Sequence, residues 1–134
     1  MLLLDTHALL WFLNGDGLCS PAARAAIQAP GADVRVGAIA LWEIAIKLSI
    51  GKLKLANGYD GLLGEVAKNR FEVLGINTDH LRVAASLPFA NQPTGNKHKD
   101  PFDRLMVATA KWERATLLTA ETWWKGAYQV PIIW

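Results

Sequence analysis

The sequence predicts an α/β domain with a parallel sheet of about five strands covered by helices. Two observations carry this. Short apolar runs rich in Leu, Val and Ile alternate with longer segments of helical period, the pattern of strands joined by crossover helices. Several helical segments also open on a residue suited to capping. At 134 residues the chain fits one domain spanning 1–134, long enough to bury a real core.

Leu2 to Leu4 form the first strand candidate, and Asp5 leads from it into "THALLWFL". Ser20 caps a helix with Pro21 at its first position, where a missing N–H costs nothing. Val34 to Val36 form the second strand, followed by the apolar helix "AIALWEIAIKL". Phe71 to Ile76 form the third strand, and Thr78 is the expected cap of "DHLRVAASL". A long irregular stretch, "PFANQPTGNKHKD", then reaches Asp100 and Pro101, which start the next helix. Loops of that length in small domains are often functional. Ala115 to Leu118 and Pro131 to Ile133 complete the strands, with Glu121 in the first turn after "ATLLT".

Composition narrows the possibilities. Hydrophobic residues make up 51% and charged residues 19%, the balance of a packed globule rather than a disordered chain. The apolar N-terminus carries Asp5 and His7 and falls short of the roughly 18 residues that a membrane span needs. A soluble, cytoplasmic protein with no membrane partner is therefore expected. The single cysteine, Cys19, excludes an internal disulfide and suits a reducing compartment. Fourteen basic residues against twelve acidic give a net charge of +2, which alone says little about nucleic acid. Lys47, Lys52 and Lys54, with Lys97 and Lys99, cluster where a polyanion could use them.

The acids each have an ordinary explanation. Asp5, Asp103 with Asp100, and Glu121 stand at helix starts, where a carboxylate accepts backbone N–H bonds and meets the positive end of the helix dipole. Glu43 does not fit it. It lies in a helix otherwise uncharged from Ala38 to Ile46, with only Lys47 four residues on as an ordinary partner. In open parallel sheets the carboxyl ends of the strands and the following helix N-termini line one edge, where ligands bind. Asp5, Asp103 and Glu121 are expected to converge there. Carboxylates held together repel unless a proton or cation neutralises them, and a hard divalent ion such as Mg²⁺ or Mn²⁺ suits oxygen donors. Asp103 shares a helix face with Val107 and Ala110, an apolar line expected to pack inward. Asp103 is thus the expected metal residue, with Asp100 mainly capping and at the rim.

At "LLLDTHALLWFL", "LWEIAIKLSIGKL", "HKDPFDRLMVATA" and "LLTAE" through "VPIIW" the sequence resembles the PIN-domain ribonucleases, most closely the VapC-type toxins of type II toxin–antitoxin pairs. The four pieces occur in the family's order across nearly the whole chain. The resemblance implies an α/β/α sandwich on a five-stranded parallel sheet. It also implies a Mg²⁺ or Mn²⁺ site at residues matching Asp5, Glu43, Asp103 and Glu121, RNA phosphodiester cleavage, homodimerisation and neutralisation by a small antitoxin protein. Two positions depart from the pattern. Glu121 stands where the family usually has Asp, and "VGAIALWE" lacks the serine common at the start of the second motif's helix.

With a divalent ion present, a bound water supplies the nucleophile and no side-chain nucleophile is required. Asp5, Glu43 and Asp103 are the expected catalytic set, with Asp100 and Glu121 as further metal candidates. Thr6, Lys47 and Arg104 are the expected substrate contacts, the last two because cations commonly meet the nucleic-acid backbone. His7 and His98 are candidates for general acid work but read, as lone histidines, as surface or packing residues. Trp42 and Trp112 read as core or interface, and Trp11 with Phe12 as core or as a dimer or antitoxin surface. Two other acidic α/β sites fit less well. A dehalogenase-like phosphate enzyme needs Asp where His7 stands, and a receiver domain needs an Asp that "FEVLGIN" does not supply. From a different class, a catalytically weak PIN-like module binding RNA or a partner remains the alternative.

Overall fold

The computed structural model describes residues 1–134. Five strands, β1 (Leu2–Leu4), β2 (Val34–Gly37), β3 (Glu72–Leu74), β4 (Thr116–Leu118) and β5 (Ile132–Ile133), form one parallel sheet in the order β3-β2-β1-β4-β5. Seven helices connect them: α1 (Thr6–Leu13), α2 (Pro21–Gln28), α3 (Ala38–Ser49), α4 (Gly58–Lys68), α5 (Thr78–Ser86), α6 (Pro101–Glu113) and α7 (Trp124–Tyr128). Neighbouring residues on a strand point to opposite faces. Leu3 and Leu4 of β1 and Leu117 and Leu118 of β4 are all fully buried, so helices cover the central strands on both sides. This is the α/β/α arrangement that the sequence resemblance implies.

The edges differ from the centre in the same terms. Glu72 and Val73 of β3 are exposed, and the strand is shorter than the predicted Phe71 to Ile76. Its length is set by its only neighbour, since β2 ends at Gly37, which pairs with Leu74. Phe71 leaves the ladder and packs into the core, 8% exposed.

Local chemistry explains most helix starts. Ser20 Oγ accepts from the Ala23 N–H at 3.1 Å ahead of Pro21. Asp100 Oδ1 accepts from Phe102 N at 2.9 Å and Asp103 N at 3.0 Å, so it caps α6 as expected. At α5 the cap is Asn77 rather than Thr78. Asn77 Oδ1 accepts from Asp79 N and His80 N, while Thr78 is already helical. The amide oxygen of Asn reaches those donors from extended backbone, which is the geometry an N-cap needs.

Gly37, between β2 and α3, offers no side-chain cap. A Cβ there would meet Ile39 Cγ2 at 3.3 Å, so Ile39 would have to give by a few tenths of an ångström, while Met106 and Leu3 would lie at ordinary contact distance. Of the core or interface roles expected for Trp42 and Trp112, the fold removes the core one. Trp124 is the core tryptophan at 1% exposure, whereas Trp42 and Trp112 are 57% and 47% exposed and do not belong to the core. The helical period could not separate them, because an apolar residue on a helix faces whatever the tertiary fold places there. No helix is long and apolar enough to cross a membrane.

Candidate active site

The sheet order reverses between β1 and β4, and there the chain leaves both strands at the carboxyl edge. The Asp5 N–H still donates to Leu118 O, extending the β1–β4 pairing by one residue. Asp5 then caps α1, its Oδ1 accepting from Ala8 N at 2.6 Å. The side chain is buried, and burial pushes its carboxyl above the ordinary range against hydrogen bonds from Thr119 and Ala8. Cap and site residue are thus one carboxylate.

Asp103 arrives from a different kind of junction than predicted. Its helix follows α5 and the irregular loop, not a strand. Because α6 leads directly into β4, its N-terminus lies at the carboxyl edge of the sheet all the same. Val107 and Ala110 on its inner face are buried, and Asp103 lines a cleft with Asp5, Thr6, His7, Ile39, Ala40, Glu43, Phe102 and Met106. Burial pushes the Asp103 carboxyl up to about 6, with the Asp100 and Glu43 carboxylates adding to the rise and the His98 hydrogen bond opposing it. The acids therefore form one electrostatic group that carries its negative charge at a cost.

Glu43 comes from the second turn of α3. Thr6 Oγ1 donates to its Oε2 at 2.5 Å, and Lys47 Nζ pairs with its Oε1 at 2.5 Å. The lysine four residues on is thus a real partner, and the apolar helix is also packed at the site, with Ile39, Ala40 and Ile44 buried. Thr6 is buried, its hydroxyl committed to Glu43.

Two predicted residues stand elsewhere. Glu121 precedes α7 rather than lying in its first turn, is exposed, and accepts a hydrogen bond from Trp123 Nε1 at 2.6 Å. It does not line the cleft, though its charge is felt at Asp5. Arg104 is 8% exposed and donates to Leu87 O at 2.7 Å, Pro88 O at 3.0 Å and His98 O at 3.5 Å, with Phe89 stacked over it at 4.1 Å. A guanidinium so committed is not free for phosphate. It braces the irregular loop instead, correcting the substrate-contact expectation.

Sequence reasoning set His98 aside as a surface or packing residue, and its contacts to the acidic site went unforeseen. The residue is 3% exposed, with Nε2 3.1 Å from Asp103 Oδ2 and Nδ1 2.6 Å from the Tyr128 hydroxyl. Only its place five residues before Asp103 hinted at this, and a lone histidine in a polar loop carries no such signal by itself.

Apart from His7 the polar side chains around the cleft offer hard oxygens, and two of them, Asp5 and Asp103, carry carboxyls raised by burial. That set fits a small divalent cation, which removes the charge penalty. As the side chains stand, no three acidic or histidine groups close around one point, with Glu43 turned to Thr6 and Lys47. The free space in the cleft is about 20 Å³, close to one water.

Comparison with known proteins agrees with this architecture. The PIN domain profile matches residues 2–127. Among solved structures, VapBC2 from Rickettsia felis bound to a promoter DNA fragment is similar at a TM-score of 0.70 and 17% identity, covering 98% of this chain and 96% of that one. FitAcB from Neisseria gonorrhoeae is similar at 0.67 and 20% identity, with 98% and 96% covered. VapBC-5 from Mycobacterium tuberculosis, a member of the VapBC family of toxin–antitoxin systems, is similar at 0.61 and 18% identity, with 97% and 94% covered. No curated protein matches by sequence.

Proposed function

Because the chain belongs to the PIN-domain family, we propose that it is a Mg²⁺- or Mn²⁺-dependent endoribonuclease that acts as the toxin of a toxin–antitoxin pair. The observation that carries the reading is the gathering of Asp5, Glu43 and Asp103 from three separate elements onto one cleft at the switch point of the sheet. Asp5, Glu43 and Asp103 would hold the ion, a role that requires Glu43 to give up its contacts to Lys47 and Thr6. Such an ion, when bound, would supply an activated water as nucleophile and offset the charge that develops on phosphate.

The chain's own groups do the rest. Thr6 orients Glu43 and, once released, is a hydroxyl donor to a phosphate oxygen. Lys47, held beside Glu43 and 34% exposed, is the cation nearest the scissile backbone. Asp100 stays at the rim as the cap of α6, and Glu121 acts at most through water, since it lies outside the cleft. A small antitoxin protein is the proposed partner, supported by the toxin–antitoxin complexes among the similar structures. Homodimerisation is proposed with it, and the exposed Trp42, Trp112 and Ile50 supply apolar surface for such contacts. The proposed setting is the cytoplasm, where RNA and antitoxin meet the toxin.

Two contacts favour a second reading. Glu121 is turned to Trp123 and Glu43 is neutralised by Lys47, an arrangement also expected of a catalytically weak module that binds RNA or a partner. Incubation of purified protein with total RNA, in Mn²⁺ and in EDTA, separates the two. Cleavage only with metal, giving 5′-phosphate and 3′-hydroxyl ends, supports the nuclease. Cyclic phosphate ends or full activity in EDTA refute it, and RNA binding without cleavage supports the module.

A further inference from the structure

We propose that His98, backed by Tyr128, is the positioning residue of the acidic site, holding one Asp103 oxygen inside the fold so that the other is presented to the cleft. The inference rests on the nuclease reading and specifies how its site is set. A carboxylate only accepts hydrogen bonds, so the 3.1 Å contact to Asp103 Oδ2 requires the proton of His98 on Nε2. The 2.6 Å contact then runs from the Tyr128 hydroxyl to Nδ1. A neutral imidazole carries a single ring proton, so with that proton on Nε2 the Nδ1 has only a lone pair to offer. Nδ1 is thus the acceptor for the tyrosine's own proton. One directed chain, from Tyr128 through His98 to Asp103, joins α7, the irregular loop and α6.

The histidine has little freedom to turn. Trp123 meets its ring edge-on at 5.1 Å between centroids, and Trp124 lies at 5.7 Å. Its own N–H donates to Ala90 O at 2.9 Å, and the loop that carries it is braced by Arg104. A residue that served only to fill space at this position would need no donor. Here both ring nitrogens are used, and one of them ends on a carboxylate that is still 41% exposed at the cleft. Without the donor, the Asp103 carboxylate can rotate about its last bond, and its orientation has to be fixed at the moment an ion binds. Groups of this kind behind a metal ligand typically change metal affinity or activity by about 10–100-fold.

The test measures Mn²⁺ affinity without RNA, from the free-ion electron paramagnetic resonance signal, alongside kcat and KM for RNA cleavage. Wild type is compared with His98→Leu, His98→Gln, Tyr128→Phe and Asp103→Asn, each checked for folding by circular dichroism. His98→Leu is expected to weaken Mn²⁺ binding by about 10–100-fold. His98→Gln, whose amide keeps an N–H near the Nε2 position, is expected to recover most of that loss. Tyr128→Phe is expected to fall between them, with kcat lowered and KM unchanged.

Folded His98→Leu with wild-type affinity overturns the proposal, as does a Gln variant no better than Leu. If the Leu variant fails to fold, Tyr128→Phe with wild-type affinity and kcat overturns it. Loss of Mn²⁺ binding in Asp103→Asn but not in the His98 and Tyr128 variants leaves the nuclease reading standing and removes this one. Wild type that binds no Mn²⁺ removes both.

Discussion

Replacing Asp103 with Asn is expected to abolish RNA cleavage while stabilising the metal-free protein at neutral pH. The carboxyl rises from 3.8 to about 6 on folding, so the fold favours its protonated form. That contribution is fully present below about pH 3.8 and is lost as pH rises through about 6. Above that the charged group is a cost, equivalent to about 3 kcal/mol if nothing screens it. The side chain is 41% exposed, and screening cuts the figure to about 1 kcal/mol. Asn removes the charge and keeps an oxygen to accept from His98. At about 2.1 cal/mol/K per residue, a chain of this length gains about 3–4 °C in melting temperature for each kcal/mol. Calorimetry in EDTA should show that gain at pH 7.5 and none near pH 4, and the same sample should not cut RNA in Mn²⁺. A melting temperature lowered at pH 7.5, or retained cleavage, refutes the reasoning. The matched variant is Asp100→Ala, which loses the cap to Phe102 and Asp103. It should lower stability by about 1 kcal/mol and keep most activity below its melting point. Equal loss of activity in both would mean that the motif supplies two carboxylates.

Asp5→Asn should abolish cleavage without loss of stability, because Asn still offers an oxygen to the Ala8 N–H; a large fall in melting temperature would make capping its main role. Glu121→Asp should preserve or raise activity, since the carboxylate lies outside the cleft, and a dead variant in the RNA assay would show a differently built site. Arg104→Ala strips the donors from Leu87 and Pro88 carbonyls and should cost at least about 2 kcal/mol by chemical denaturation. An unchanged midpoint would return Arg104 to the substrate-contact role. Thermal stabilisation by Mn²⁺ should fade as pH drops below about 6, where Asp103 takes up its proton; stabilisation unchanged at pH 5 would exclude that carboxylate as a ligand.

Short-range chemistry determined a good part of this protein. The Leu, Val and Ile runs at 2–4, 34–36 and 115–118 became strands, and Ser20 and Asp100 capped the helices they precede. Those outcomes depend on residues two or three apart, or on the period of one segment. The four motifs also carried the family, and the parallel-sheet pattern carried the edge where Asp5 and Asp103, though not Glu121, line the cleft. Tertiary structure alone decided what each side chain meets. Thr6 reaches Glu43 across 37 positions and His98 reaches Tyr128 across 30. Arg104 turned from a prospective phosphate contact into the brace of a loop, and Trp124 rather than Trp42 or Trp112 went into the core. Asn77 displaced Thr78 as a cap because both residues can serve, and the backbone angle at the junction selects between them. An acid, a histidine or an arginine has the same local signal whether it faces water, a ligand or a carbonyl. Its role follows from the desolvation and partners it meets when distant segments pack, and those are properties of the assembled fold.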